Sequence, residues 1–130
     1  MRDVILDTSA ILAVINEEKG INIVTGVLPH SFISSVNLTE VVSVMARRNI
    51  DGKKIQDIIN KLVKGVISFN EEQAYIAGDL EIISRKNKLS LSLGDRACLA
   101  LGQYLNIPVY TADQKWQEIP DCRTEIKLIR

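Results

Sequence analysis

Four carboxylates stand out by position. Asp7 ends the apolar run Val4-Ile5-Leu6, Asp113 falls two residues beyond Thr111 in Val109-Tyr110-Thr111, and Asp95 follows Ser92-Leu93-Gly94 directly. Glu40 lies in the first turn or so of the helical stretch that opens near Ser35 or Asn37. Singly, each has an ordinary explanation: a helix cap for Asp7, a dipole partner for Asp95, a solvated helix residue for Glu40, a turn former for Asp113. Together they suggest a cation. Two carboxylates about 4 Å apart repel by ~4 kcal/mol at an effective dielectric near 20, a burden for a marginally stable domain unless a positive ion joins them. With one histidine, His30, and no Cys cluster, zinc and copper are poorly served; an all-oxygen ligand set favours Mg²⁺ or Mn²⁺, which act on phosphates. His30 reads as a loop residue, and as the lone histidine it argues against a metal-free nuclease that needs two as acid and base.

Other phosphate chemistries fit less well. A phosphoryl-aspartate phosphatase wants a second Asp two residues after the nucleophile, where Ser9 stands. A response-regulator receiver wants a phospho-accepting Asp after the third strand, where the chain reads Phe69-Asn70. No P-loop and no G-x-G-x-x-G occurs.

The elements that must position these acids are short and alternating. Val4 to Leu6, Phe32 to Ser34, Val66 to Phe69, Val109 to Thr111 and Ile126 to Ile129 have strand character. Helical patterns lie between them: Ala10 to Ile15 behind a Thr8 or Ser9 cap, Ile21 to Leu28 before Pro29, and a helix from Ser35 or Asn37 with the stripe Leu38, Val41, Val42 and Met45. Val36 and Val44 lie off that stripe and hint at a subunit contact. Further helices cover Asp51 to Val63 and Glu71 to Asn87, the latter with Ile76, Leu80 and Ile83 on one face. A last one follows Gly94 with Ala97, Cys98, Leu101 and Leu105 inward. Strands separated by helices of about ten residues or more imply parallel crossovers, hence a three-layer α/β/α sandwich around a mostly parallel sheet. In such sheets ligands settle at the carboxyl ends of the strands, where Asp7, Asp95 and Asp113 fall and toward which Glu40 can lean.

Composition sets the bounds. With 130 residues, 46% of them hydrophobic, the chain is expected to form a single domain spanning residues 1–130. Its apolar runs are far shorter than the ~20 residues of a membrane span, Asp7 cuts off any signal-peptide core, and Cys98 and Cys122 form no disulfide pattern, so the expected compartment is the cytoplasm. Lys plus Arg and Asp plus Glu both number 16, so net charge lends no support to nucleic-acid binding. Arg96 is a candidate phosphate contact or an ordinary salt-bridge residue, and Trp116 reads more readily as a packing anchor than as a base-stacking platform.

Four segments carry a resemblance: Val4-Ile5-Leu6-Asp7-Thr8-Ser9-Ala10, Ser34-Ser35-Val36-Asn37-Leu38-Thr39-Glu40-Val41-Val42, Leu91-Ser92-Leu93-Gly94-Asp95-Arg96-Ala97-Cys98-Leu99-Ala100, and Thr111-Ala112-Asp113 with Trp116 beyond. In this order and spacing the chain resembles the PIN-domain family, and more closely its VapC group of toxin ribonucleases. The resemblance implies that Asp7, Glu40, Asp95 and Asp113 are the family's acidic quartet, with Ser9 and Thr111 as supporting polar groups. It further implies Mg²⁺- or Mn²⁺-dependent endoribonuclease activity on structured RNA such as tRNA or rRNA. Neutralisation by a co-expressed VapB-type antitoxin, a homodimer and a higher toxin-antitoxin assembly are implied as well. In-line hydrolysis is the expected chemistry, with Asp7 and Asp95 the firmest ligands and one metal or two left open. The alternatives are a non-catalytic PIN-like module that binds RNA or a partner around a structural metal and, less well supported, a flap-type DNA nuclease, for whose clamp insertions the chain lacks room.

Overall fold

The computed structural model describes residues 1–130. Five strands, β1 (Val4–Leu6), β2 (Ser31–Ser34), β3 (Gly65–Ile67), β4 (Val109–Thr111) and β5 (Ile126–Leu128), form one sheet in the order β3-β2-β1-β4-β5. Every pairing is parallel, so the sheet goes beyond the mostly parallel expectation. The chain builds outward from β1 through β2 to β3, then returns to the other side of β1 with β4. The reversal therefore falls between β1 and β4, where Ile5 pairs with Val109 and Leu6 with Tyr110.

Six helices cover the sheet: α1 (Thr8–Ile15), α2 (Ile21–Val27), α3 (Ser35–Arg47), α4 (Gly52–Leu62), α5 (Glu71–Lys86) and α6 (Leu93–Leu105). Strand side chains alternate between faces, and β1 shows the consequence. Val4 and Leu6 enter a core with Ala10, Ile11, Val24, Val41, Met45, Ile55 and Ile59. Ile5 enters a second core with Cys98, Leu99, Leu101, Val109 and Trp116. Helices α1 to α4 thus lie on one face, α5 and α6 on the other, giving the expected α/β/α sandwich. No helix is long and apolar enough to cross a membrane.

Several boundaries differ from the sequence reading. Helix α1 begins at Thr8 with Asp7 as its cap, and α3 is capped by Ser34, the last residue of β2. In both places strand passes into helix with no loop, because the extended backbone of the last residue already suits a cap. The second helix stops at Val27, and Pro29 sits within a 3₁₀ turn, Leu28–His30. On α3, Leu38 and Val42 pack on the core whereas Val36 and Val44 do not. Helix α5 turns Gln73, Ala77 and Ser84 inward, with Leu80 and Ile83 packed beside them, so its apolar face is narrower than the isoleucines suggest.

Candidate metal centre

Asp7 is the buried member of the quartet, 5% exposed at the β1–α1 junction. Its Oδ1 accepts from the Ala10 amide at 2.9 Å and from the Ser9 hydroxyl at 2.6 Å, and its Oδ2 accepts from Thr111 at 2.7 Å. Thr111, the last residue of β4, also accepts the Asp113 amide at 3.0 Å, and Ser9 accepts the Ala112 amide at 2.9 Å. Ser9 and Thr111 therefore fix Asp7 and tie the ends of β1 and β4 together across the reversal.

The other three acids each commit one carboxylate oxygen to the protein. Asp95, third residue of α6, closes a capping box: its amide donates to Ser92 Oγ at 3.1 Å and its Oδ2 accepts the Ser92 amide at 2.9 Å. Asp113 caps the 3₁₀ turn Gln114–Glu118, Oδ1 accepting from the Lys115 amide at 3.0 Å. Glu40, on the second turn of α3, accepts through Oε1 from Thr8 at 2.5 Å and from the Asn37 amide group at 3.1 Å. The ordinary roles considered for Asp7, Asp95 and Asp113 are thus real. They leave Asp95 Oδ1, Asp113 Oδ2 and Glu40 Oε2 with no protein hydrogen bond.

The electrostatics join the four. Burial pushes the Asp7 carboxyl up to about 6, against the lowering effect of its three hydrogen bonds and with a further rise from Asp95. Asp95 is also raised, first by burial and then by repulsion from Asp113 and Glu40, while its bonds with Ser92 act the other way. No Lys or Arg pairs with any of the four; the five ion pairs of the chain all lie elsewhere. The side chains have not closed on a common point, since no three acids stand within holding distance of one ion. The donors nevertheless suit a hard divalent ion: all are oxygens, three are free, and the buried one is raised by burial. Asp7, Asp95, Glu40 and Asp113 are the acids that would supply its donors, once their side chains turned toward a common point.

Other candidates fall away from this centre. The Arg96 guanidinium, with its side chain 15% exposed, pairs with Glu81 at 3.2 Å and donates to the Ala77 and Leu91 carbonyls at 3.0 and 3.4 Å. It serves the α5–α6 contact, and a phosphate contact would have to give up those partners. Trp116 is fully buried in the second core, so its ring packs and offers no face to a base. His30 precedes β2, at the end of the sheet away from the acids. Cys98 is core, and Cys122 is exposed and unpaired. Sequence reasoning missed Thr8 and Asn37 as polar partners of Glu40; Thr8 was read as a cap and Asn37 as a helix opener. The three-residue spacing of Asn37 from Glu40 is a signal for one; for Thr8, far from Glu40 in sequence, there is none.

The comparisons agree with this architecture. No curated protein matches the chain by sequence. Among solved structures, VapBC2 from Rickettsia felis, bound to a DNA fragment from its promoter, aligns over 96% of this chain and 97% of its own with a TM-score of 0.73 at 16% identity. DNA-bound VapBC from Salmonella typhimurium aligns over 100% of both chains with a TM-score of 0.72 at 17% identity. VapBC-1 from nontypeable Haemophilus influenzae aligns over 97% of both at 0.72 and 20% identity. At such identities the likeness is one of fold. A family model described as PIN domain matches residues 4–121, nearly the whole chain, and with the all-parallel sheet and the acid-bearing edge it places this chain in the PIN-domain family.

Proposed function

We propose that the chain is a metal-dependent endoribonuclease of the VapC toxin type. The observation that carries the reading is the acidic edge itself: four carboxylates from four separate segments, electrostatically coupled through Asp95, with no cationic side chain paired to any of them. Such a group is tolerable when a divalent ion neutralises it. Membership of the PIN-domain family and a fold shared with toxin-antitoxin proteins support the same reading. The partner it implies is a VapB-type antitoxin, with structured RNA as substrate, a homodimer as the toxin's form and the cytoplasm as its place.

In this mechanism Asp7 is the fixed ligand. Ser9, Thr111 and the Ala10 amide hold both its oxygens, so the carboxylate is oriented before any ion arrives, which limits the ordering left for binding. Asp95 offers Oδ1 from a helix turn already locked by its capping box. Glu40 and Asp113 would contribute their free oxygens by completing a second site or by orienting water. Mg²⁺ or Mn²⁺ bound there supplies polarisation of a phosphate oxygen and activation of water for attack on phosphorus. Asp7, Asp95, Glu40 and Asp113 act on the substrate by placing charge; none stands as a nucleophile, and the leaving oxygen takes its proton from solvent.

The test is cleavage of end-labelled structured RNA by the antitoxin-free chain across a Mg²⁺ and Mn²⁺ titration, with chelator controls. Products that appear with metal and vanish with chelator are expected. RNA binding without products at any metal concentration would replace the enzyme with a non-catalytic binding module.

A further inference from the structure

We propose that Asn37 is the positioning residue for Glu40, the side chain that keeps this carboxylate in the acidic centre. The inference rests on the metal-site reading above and deepens it. Asn37, third residue of α3, is 1% exposed. Its Nδ2 lies 3.1 Å from Glu40 Oε1, 3.2 Å from Thr8 Oγ1 and 3.1 Å from the Gly94 carbonyl oxygen. Its Oδ1 is buried and has no partner. The neighbours dictate that orientation. A carboxylate and a peptide carbonyl can only accept, and the Thr8 hydroxyl, which gives its proton to Glu40, presents a lone pair. Turning the amide over would set an oxygen against acceptors, so the NH₂ end faces them and the oxygen is left unsatisfied. A buried unpartnered carbonyl is unfavourable and marks the NH₂ end as the one the fold uses.

Through those bonds Asn37 connects α1, α3 and α6, the helices that begin at or carry Asp7, Glu40 and Asp95. Gly94 completes the arrangement. A Cβ at Gly94 would crowd both Glu40 oxygens, Oε1 nearest and Oε2 at 2.5 Å, and stand 2.6 Å from Cδ, so the Glu40 carboxylate lies against the first turn of α6 in space that only glycine leaves. Asn37 and Thr8 donate to Oε1, the bare Gly94 backbone leaves room for both carboxylate oxygens, and Oε2 has no protein hydrogen bond.

Two readouts test this on the 130-residue chain, one needing no metal. In metal-free protein, Asn37→Ala should move the Glu40 carboxylate ¹³C resonance and leave that of Asp113 in place. In Mn²⁺ titrations followed by electron paramagnetic resonance, the same variant should lose about tenfold to hundredfold in affinity, the usual scale for removing a partner that orients a ligand. In a Glu40→Gln background, Asn37→Ala should change affinity by no more than about twofold, because its effect runs through Glu40. Gly94→Ala, which leaves Asn37 intact and favours helix, should weaken Mn²⁺ binding in the same way. An unmoved Glu40 resonance, or an equal loss in the Glu40→Gln background, overturns the inference. A moved Glu40 resonance in a chain that binds no Mn²⁺ supports the clamp and overturns the nuclease reading instead.

Discussion

At the scale of single residues, Asp7 carries the most information. Its folded-state pKa of about 6 stands above the ordinary 3.8, so between those values the folded chain keeps a proton that the unfolded chain has released. Stability of the metal-free protein should therefore fall as pH rises from about 4 through 6 and stay low above it, by linkage. Asp7→Asn removes the buried charge. In chelator-treated protein it should raise stability at pH 7.5 by about 1–3 kcal/mol in urea unfolding and flatten the decline between pH 4 and 6, while abolishing RNA cleavage. A destabilised but active variant would contradict both roles. Thr111→Val removes one bond that lowers the Asp7 pKa, so an NMR titration of the Asp7 carboxyl should show it rising further. Asp7, Asp95 and Asp113 stand out in the sequence because each sits at a strand end or helix start, whereas Glu40 lies on the second turn of α3 and stands out less; the three-residue spacing of Asn37 from Glu40 is visible too, but not that Asn37 also meets Thr8 and Gly94.

At the scale of elements, α6 links packing to chemistry. Ser92→Ala removes the hydroxyl that accepts the Asp95 amide and should cost about 1 kcal/mol in thermal or urea unfolding, while the residue-92 amide still donates to Asp95 Oδ2. Gly102→Ala probes the other end of the helix, where a Cβ would meet Thr124 Cγ2 at 2.5 Å and Val109 Cγ1 at 2.8 Å. It should destabilise the chain by about 1–3 kcal/mol with metal affinity unchanged, since it crowds the core far from the acids. Strands β1 and β4 were readable to the residue because β-branched runs end sharply at Asp7 and at Ala112-Asp113. On α5 the expected Leu80 and Ile83 do pack on the core, but the fully buried positions are the small or polar Gln73, Ala77 and Ser84, whose side chain accepts the Leu91 amide, and apolar periodicity does not reveal them. Tertiary fit there outweighs periodicity.

For the whole molecule, the alternation of strand and helix announced a parallel α/β sheet but not the order of its strands. That order decides the site. Placing β4 beside β1 brings the ends of two strands, more than a hundred residues apart in sequence, into hydrogen-bonding contact through Ser9, Thr111 and Asp7. The spacing of the four carboxylates was also not legible: no three of them share an ion's reach, a matter of side-chain placement that residue order does not fix. An added divalent ion should draw them together and stabilise the fold by mass action, by about 2.7 kcal/mol at a hundredfold excess over Kd. The most direct measurement is the thermal midpoint of chelator-stripped chain against added Mn²⁺ at pH 7.5, for wild type and for Asp7→Asn. A saturable rise in the wild type that the variant lacks is the predicted result; a wild-type midpoint indifferent to Mn²⁺, or an equal rise in both, would contradict a metal centre at these residues.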